Sequence, residues 1–230
     1  MFERLKNAFT ASVKPARALS PADVVSEWAS KQGFILNGAP DSKSFTMSGD
    51  ISGLPWKLER GRASRDYING EELRARAELK LNENVSVLIM NRPLKETLEK
   101  RTYEAYTDTL QTTADLSMPE EMRWLSMYPE AGWDTLPPAF WKRYAVLAEK
   151  RDHAETWLNP KLASMLLEWP EPSPNERIPF VLMILRGKAY LRMQFTPVDM
   201  PTLQHAAEIF TVACSSGLSG LSSSTHASIN

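Results

Sequence analysis

The chain has 230 residues, a formal net charge of −1 and a pI near 6.3, with 43% hydrophobic and 24% charged residues. A chain of this length buries roughly 70–75% of its unfolded surface, so folding calls for neither metal nor disulfide. The balanced charge gives no general drive toward nucleic acid or anionic lipid, and the single cysteine, Cys214, excludes an internal disulfide.

The first residues, "MFERLKNAFTASVKPAR", hold no apolar run of secretory-signal length, and no stretch approaches 18 apolar residues. A soluble, cytoplasmic protein is the expectation. Phe2, Leu5, Phe9 and Val13 recur at helical spacing, with Lys6, Lys14 and Arg17 among or after them. This pattern fits an amphipathic helix that docks on a partner or a membrane surface, or a short terminal helix packed on its own domain. "SPADVVSEWASKQG" then reads as a capped helix. Ser20 suits the N-cap, Pro21 the first helical position, Asp23 the third and Gly33 the stop, with Val24, Val25, Trp28 and Ala29 as the apolar stripe.

A run of strands follows. "FILN" is short. "SFTMSGDI" puts Phe45, Met47, Gly49 and Ile51 on one face, and "LPWKLERGR" alternates Leu54, Trp56 and Leu58 with Pro55, Lys57 and Glu59. "ELRARAELKL" alternates strictly. Leu73, Ala75, Ala77, Leu79 and Leu81 point one way, and Glu72, Arg74, Arg76, Glu78 and Lys80 the other. Such alternation predicts an antiparallel strand with one wet face, despite the helix-forming composition. "VSVLIMNR" is the fifth strand of a meander.

Residues 93–112 read as a long helix, and "PEEMRWLSMY" as a short one with Ser117 as a candidate cap. Residues 128–138 are irregular. "PAFWKRYAVLAEKRD" is expected to be helical, with Phe140, Tyr144, Leu147 and Ala148 on one face, and a further helix is expected near 160–168. Pro170, Pro172 and Pro174 mark a linker. "RIPFVLMIL" and "AYLRMQF" form a hairpin through Arg186-Gly187, a helix spans about 200–216, and the Ser/Gly-rich residues 217–230 are expected to be a disordered tail. Grouped strands and grouped helices predict a single α+β domain over 1–216. Its parts are 1–112, a Trp-rich helical segment over 113–170, and a hairpin with a helix over 176–216.

The sequence carries no phosphate-binding loop, zinc motif or nucleophile elbow, so no cofactor or metal is expected. His153, His205 and Cys214 lack the neighbours that catalysis requires. Glu59, Asp66, Glu71, Glu72, Glu120 and Glu121 are the acids available, and no spacing selects a pair. Lys57, Arg60, Arg62 and Arg65 form a local basic patch flanked by Trp56 and Tyr67, a composition suited to single-stranded nucleic acid. Acids in the surrounding stretch nearly neutralise it, so a solvated sheet edge or loop is favoured and nucleic acid is not the expected partner.

Five of the seven tryptophans fall between Trp124 and Trp169. Most are expected to anchor helices to the sheet, while Trp133, Trp141 and Tyr128 are candidates for a partner-binding surface, as are Phe2 and Phe9. The expected function is a non-enzymatic interaction or assembly factor whose partner is another protein. A hydrolase using carboxylates in a cleft is the alternative, and weak nucleic-acid or membrane-surface binding a third.

Overall fold

The computed structural model describes residues 19–109, 119–170, 178–196 and 198–222. In chain order the elements are α1 (Pro21–Lys31), β1 (Ile35–Asn37), β2 (Phe45–Ile51), β3 (Leu54–Arg62), β4 (Glu71–Glu78), β5 (Val87–Asn91), α2 (Arg92–Thr109) and α3 (Glu120–Met127). They continue with β6 (Glu130–Ala131), α4 (Pro138–Arg143), β7 (Tyr144–Ala148), α5 (Arg151–Trp157), α6 (Pro160–Leu167), β8 (Phe180–Leu185), β9 (Lys188–Gln194) and α7 (Met200–Leu221). The fold is α+β. Among the described residues the strands form one sheet of nine in the order β1-β2-β3-β4-β9-β8-β5-β7-β6, with antiparallel pairing at each step.

Local chemistry sets the boundaries. The Ser20 hydroxyl accepts from the Asp23 amide at 3.1 Å, and the Asp23 carboxylate accepts from the Ser20 amide at 2.9 Å, a reciprocal cap that starts α1. The two-residue turns Ser52-Gly53 and Arg186-Gly187 have positive φ at both positions. That geometry matches the right-handed twist of the strands that they join.

The meander stops at four strands. The late hairpin β8–β9 inserts between β4 and β5, so the expected fifth strand is not a neighbour of the fourth. All five residues of β5 are buried, and β8 is buried over Phe180–Ile184. Such two-sided apolar strands need neighbours on both edges and cover on both faces, which the sheet centre provides.

Residues 144–148 are also a strand, not the helix expected there. Tyr144 leaves α4 in an extended conformation, and "YAVLA" pairs with both β5 and β6, buried at every position. A continuous apolar run has no period to distinguish strand from helix.

One face of the sheet carries the larger core, packed by residues of α1 and α4 to α7. The opposite face of β5, β7 and β8 packs Leu88, Met90, Leu147, Val181 and Met183 against Leu94, Leu98, Met122 and Trp124 of α2 and α3. The predicted alternation in β4 holds at Leu73, Ala75 and Ala77, which are buried, and Leu79 and Leu81 beyond it are buried too. It fails at Glu72, which was expected to be wet and is 0% exposed.

The last helix runs to Leu221, five residues beyond the expected end at Ser216. A Cβ on Gly217 would sit 3.3–3.4 Å from Ile184, Leu79 and Leu81, so the glycine lets the helix approach the sheet. Ser216, Gly217 and Leu221 are buried there, and packing overrides a composition that reads as tail. Residues 223–230 lie outside the described residues.

Candidate binding groove at the sheet edge

The sheet ends at β6, and the chain that leaves β6 builds an aromatic surface. Gly132–Pro137 cross to α4, which Pro137 and Pro138 start. Pro137 is extended at the cap and Pro138 occupies the first helical position, where its missing N–H costs nothing. This entry places Phe140 inward, fully buried, and Trp141 about 100° away around the helix, half-buried. Trp133 comes back from the connection to meet Trp141 edge-to-face, with ring centroids 4.9 Å apart at 83°.

Behind the pair, aromatic contacts run into the core. Trp141 meets Phe140 at 5.2 Å, and Phe140 meets Tyr144 at 5.3 Å. Tyr144 donates its hydroxyl to the Leu166 carbonyl at 2.7 Å and accepts from Trp169 Nε1 at 3.0 Å. Trp124, Trp133, Trp157 and Trp169 are buried, leaving Trp141 as the one half-buried tryptophan among the five of this region.

Two adjoining depressions, about 660 Å³ and 430 Å³, share Arg92, Trp133, Asp134 and Trp141. The first adds Leu136, Pro138 and Lys142, and the second adds Glu130, Ala131 and Gly132. Arg92 fixes the wall. Its Nε donates to the Trp141 carbonyl, and its Nη2 donates to Glu130 Oε1 at 2.6 Å. Lys95 Nζ approaches Glu130 Oε2 at 3.3 Å. Burial alone would raise the Glu130 pKa, but Arg92 and Lys95 outweigh it and hold the carboxyl below its ordinary range.

The predicted site residues scatter. Trp133 and Trp141 come together. Tyr128 lies on the opposite face of the sheet, edge-to-face on Trp124 at 5.1 Å and packed on the smaller core. Phe2 and Phe9 are outside the described residues. The basic patch is largely spent in pairs. Lys57 contacts Glu59 at 2.7 Å, Arg60 is buried against Glu71 and the Ser42 carbonyl, and Arg65 reaches Glu121 at 3.2 Å. Arg62 is exposed.

Two carboxylates that no spacing singled out do converge. Glu72 and Glu121 are both 0% exposed and share Arg192, which bonds Glu72 and lies 3.5 Å from Glu121. The Ser64 amide donates to Glu72 at 2.6 Å, and Arg65 holds the other side of Glu121. Burial, and then the Glu121 charge, push the Tyr67 phenol far up. These acids are sealed by guanidinium groups and chain, so they clamp the 63–70 loop and α3 to β4 and β9 and present no surface to a substrate. Arg192 lies 120 positions from Glu72 in sequence, and only the sheet register joins them.

The remaining reactive groups stand apart. Burial pushes the Cys214 thiol well above its ordinary range. His205 Nε2 lies 2.8 Å from the Met165 carbonyl, and its ring stacks edge-on against Trp169. Burial and then Lys150 lower the His153 pKa, so its imidazole is neutral at neutral pH. Among the described residues, no group of three or more His, Cys, Asp or Glu is placed to hold a metal. No described helix is long and apolar enough to cross a membrane.

Comparison with protein families, with curated proteins and with solved structures returned no match to this chain.

Proposed function

We propose that the chain is a non-enzymatic protein-binding module, an adaptor or assembly factor, that takes a segment of another protein in the groove beside β6. The groove walled by Trp133 and Trp141 receives one side chain of that segment. The observation that carries this proposal is the half-buried Trp141 ring, held edge-to-face on a buried Trp133 in an open depression beside a terminal strand.

Two physical points support it. A ring already fixed by Trp133 and Phe140 loses little freedom when a ligand covers it, which lowers the cost of binding. Tryptophan with a nearby arginine is the composition in which interface energy concentrates. The rim carries both signs, Arg92 and Lys142 against Glu130 and Asp134, which suits a polar segment of low net charge.

The test is affinity purification from the native cell with wild type and Trp141→Ala. Trp141 is half-buried, so the variant is expected to keep its fold, checked by thermal melting. Trp133 is 6% exposed, and its loss would unfold as well as unbind. A protein retained by wild type and lost from Trp141→Ala is the expected result. An unchanged set of captured proteins, or none at all, would remove the proposal.

A further inference from the structure

The face of the sheet opposite the larger core changes character from one half to the other. Over β5, β7 and β8 it carries α2 and α3, and with the 63–70 loop this cover extends to the half-buried Tyr190 of β9 and the buried Glu72 of β4. Over β2, β3 and β4 the same face holds a depression of about 580 Å³, with Thr46, Ser48, Lys57, Glu59, Arg74 and Arg76 in its lining. The side chains of Lys57 and Arg76 are 56% and 55% exposed there.

Strand register sets like charges opposite one another on this face. Lys57 stands opposite Arg76, and Arg74 opposite Arg192. Directly opposed cations repel. The neighbouring carboxylates offset only part of that repulsion. Glu59 lies 2.7 Å from Lys57 and 2.9 Å from Arg74. Glu78 pairs with Arg76 and lies 3.3 Å from Lys188, and Glu72 pairs with Arg192 and lies 3.8 Å from Arg74. Five cations thus share three carboxylates. Asp50, at the far end of β2, is engaged by the Gly53 amide of its own turn at 2.6 Å. Arg74 touches two carboxylates and still leaves its Nε without a partner among the described residues.

We infer that this face docks an acidic, extended segment of a partner protein, whose carboxylates enter between Lys57, Arg74 and Arg76. Charge argues for that occupant, because added carboxylates relieve the opposed cations. Spacing agrees. Arg74 and Arg76 are two residues apart on one strand, about 7 Å, which is also the distance between alternate side chains of an extended segment. Acids at alternate positions therefore meet both guanidinium groups, each of which accommodates a carboxylate through two N–H donors. Ion pairs as exposed as those of Lys57 and Arg76 are weak, so an incoming carboxylate displaces little. A single-stranded nucleic acid fits less well, because it needs successive rings to stack on. Tyr190 is the one aromatic residue among the outward positions of β2, β3, β4 and β9, and Arg76 already lies over its ring at 6.0 Å.

The test titrates the isotope-labelled full chain with a short peptide that alternates glutamate with serine. The same peptide with glutamine for glutamate, and oligothymidylate, are titrated beside it. The expected result is saturable shifts of the amide signals at 46–48, 57–59 and 74–76 with the acidic peptide, weakening as salt rises. The glutamine peptide, and the acidic peptide on Lys57→Gln with Arg76→Gln, should each bind about tenfold or more weakly. Both substituted side chains are exposed, so the double variant is expected to melt as wild type does. Trp141→Ala should leave the shifts unchanged, because the groove lies at the other end of the sheet. Absent shifts, equal binding of the glutamine peptide, or undiminished binding by the double variant would overturn the inference. Loss of the shifts in Trp141→Ala would move the peptide to the groove, and tighter binding of oligothymidylate at these signals would assign the face to nucleic acid. Either result also overturns it.

Discussion

Arg192 on β9 donates to the carboxylate of Glu72 on β4, and that carboxylate is wholly buried. A buried ion pair contributes little compared with an apolar pair of the same shape, but breaking one partner strands the other. Glu72→Ala should therefore cost about 3–5 kcal/mol, read as a fall in the urea midpoint. It leaves Arg192 with only Ser64 and Glu121, and frees the Ser64 amide. Glu72→Leu with Arg192→Met should recover much of that loss. A single variant as stable as wild type would mean that the cluster is not closed to water.

Gly49 lies in β2, opposite Trp56 in β3. A Cβ there would stand 2.7 Å from Trp56 Nε1 and 2.8 Å from Phe34 Cδ1. Those rings meet at 4.8 Å, and Trp56 is 2% exposed, so its indole has little room to retreat. Gly49→Ala should cost about 1–3 kcal/mol, as overpacking does. Gly132→Ala is the control, because nothing lies within 4 Å of its Cβ position, and it should change stability by less than about 0.5 kcal/mol. Equal effects at the two glycines would contradict the packing described.

Sequence periodicity identified the strands wherever one face is wet and the other dry. β2, β3, β4 and β9 alternate because helices cover only one of their faces, and Met47, Leu58, Leu73 and Leu191 all face the core. Where both faces are covered the period fades: β5 and β8 were still read as strands, but β7 was read as helix. β7 shares its apolar run with the helix pattern, and no local signal places β9 beside β4. Half of the groove was legible. Trp133 and Trp141 stand out because they adjoin irregular chain, whereas Tyr128, five residues before Trp133, packs on the other side of the sheet. Arg92 was not singled out. Its role depends on α2 beginning beside α4, 49 positions away.

Cys214 is 0% exposed in α7, and burial raises its thiol with no cation to offset the effect. Only the thiolate attacks disulfides at a useful rate. The native protein should therefore react with a disulfide reagent orders of magnitude more slowly than a free thiol. Its rate should match that of a free thiol once urea unfolds the chain. Fast labelling under native conditions would show that α7 opens locally, because the closed helix gives the reagent no path.

Glu130 links the groove to pH. Burial opposes its ionisation, but Arg92 and Lys95 more than offset that, so its folded pKa lies below its unfolded value near 4.3. A carboxylate of this kind contributes stability that is fully present above the unfolded pKa and fades as pH falls through the depressed folded value. Near neutral pH, wild type should be more stable than Glu130→Gln, and the difference should vanish well below the ordinary carboxylate range. Urea titrations of both proteins across that range check the sign, and a difference that grows with acid would reverse it. The consequence extends to binding, because the Arg92 that pairs with Glu130 also holds the Trp141 carbonyl. Protonating Glu130 frees that guanidinium to leave the wall. Capture of a partner at the groove should then weaken in acid, and in Glu130→Gln it should be weaker at neutral pH and lose its acid sensitivity.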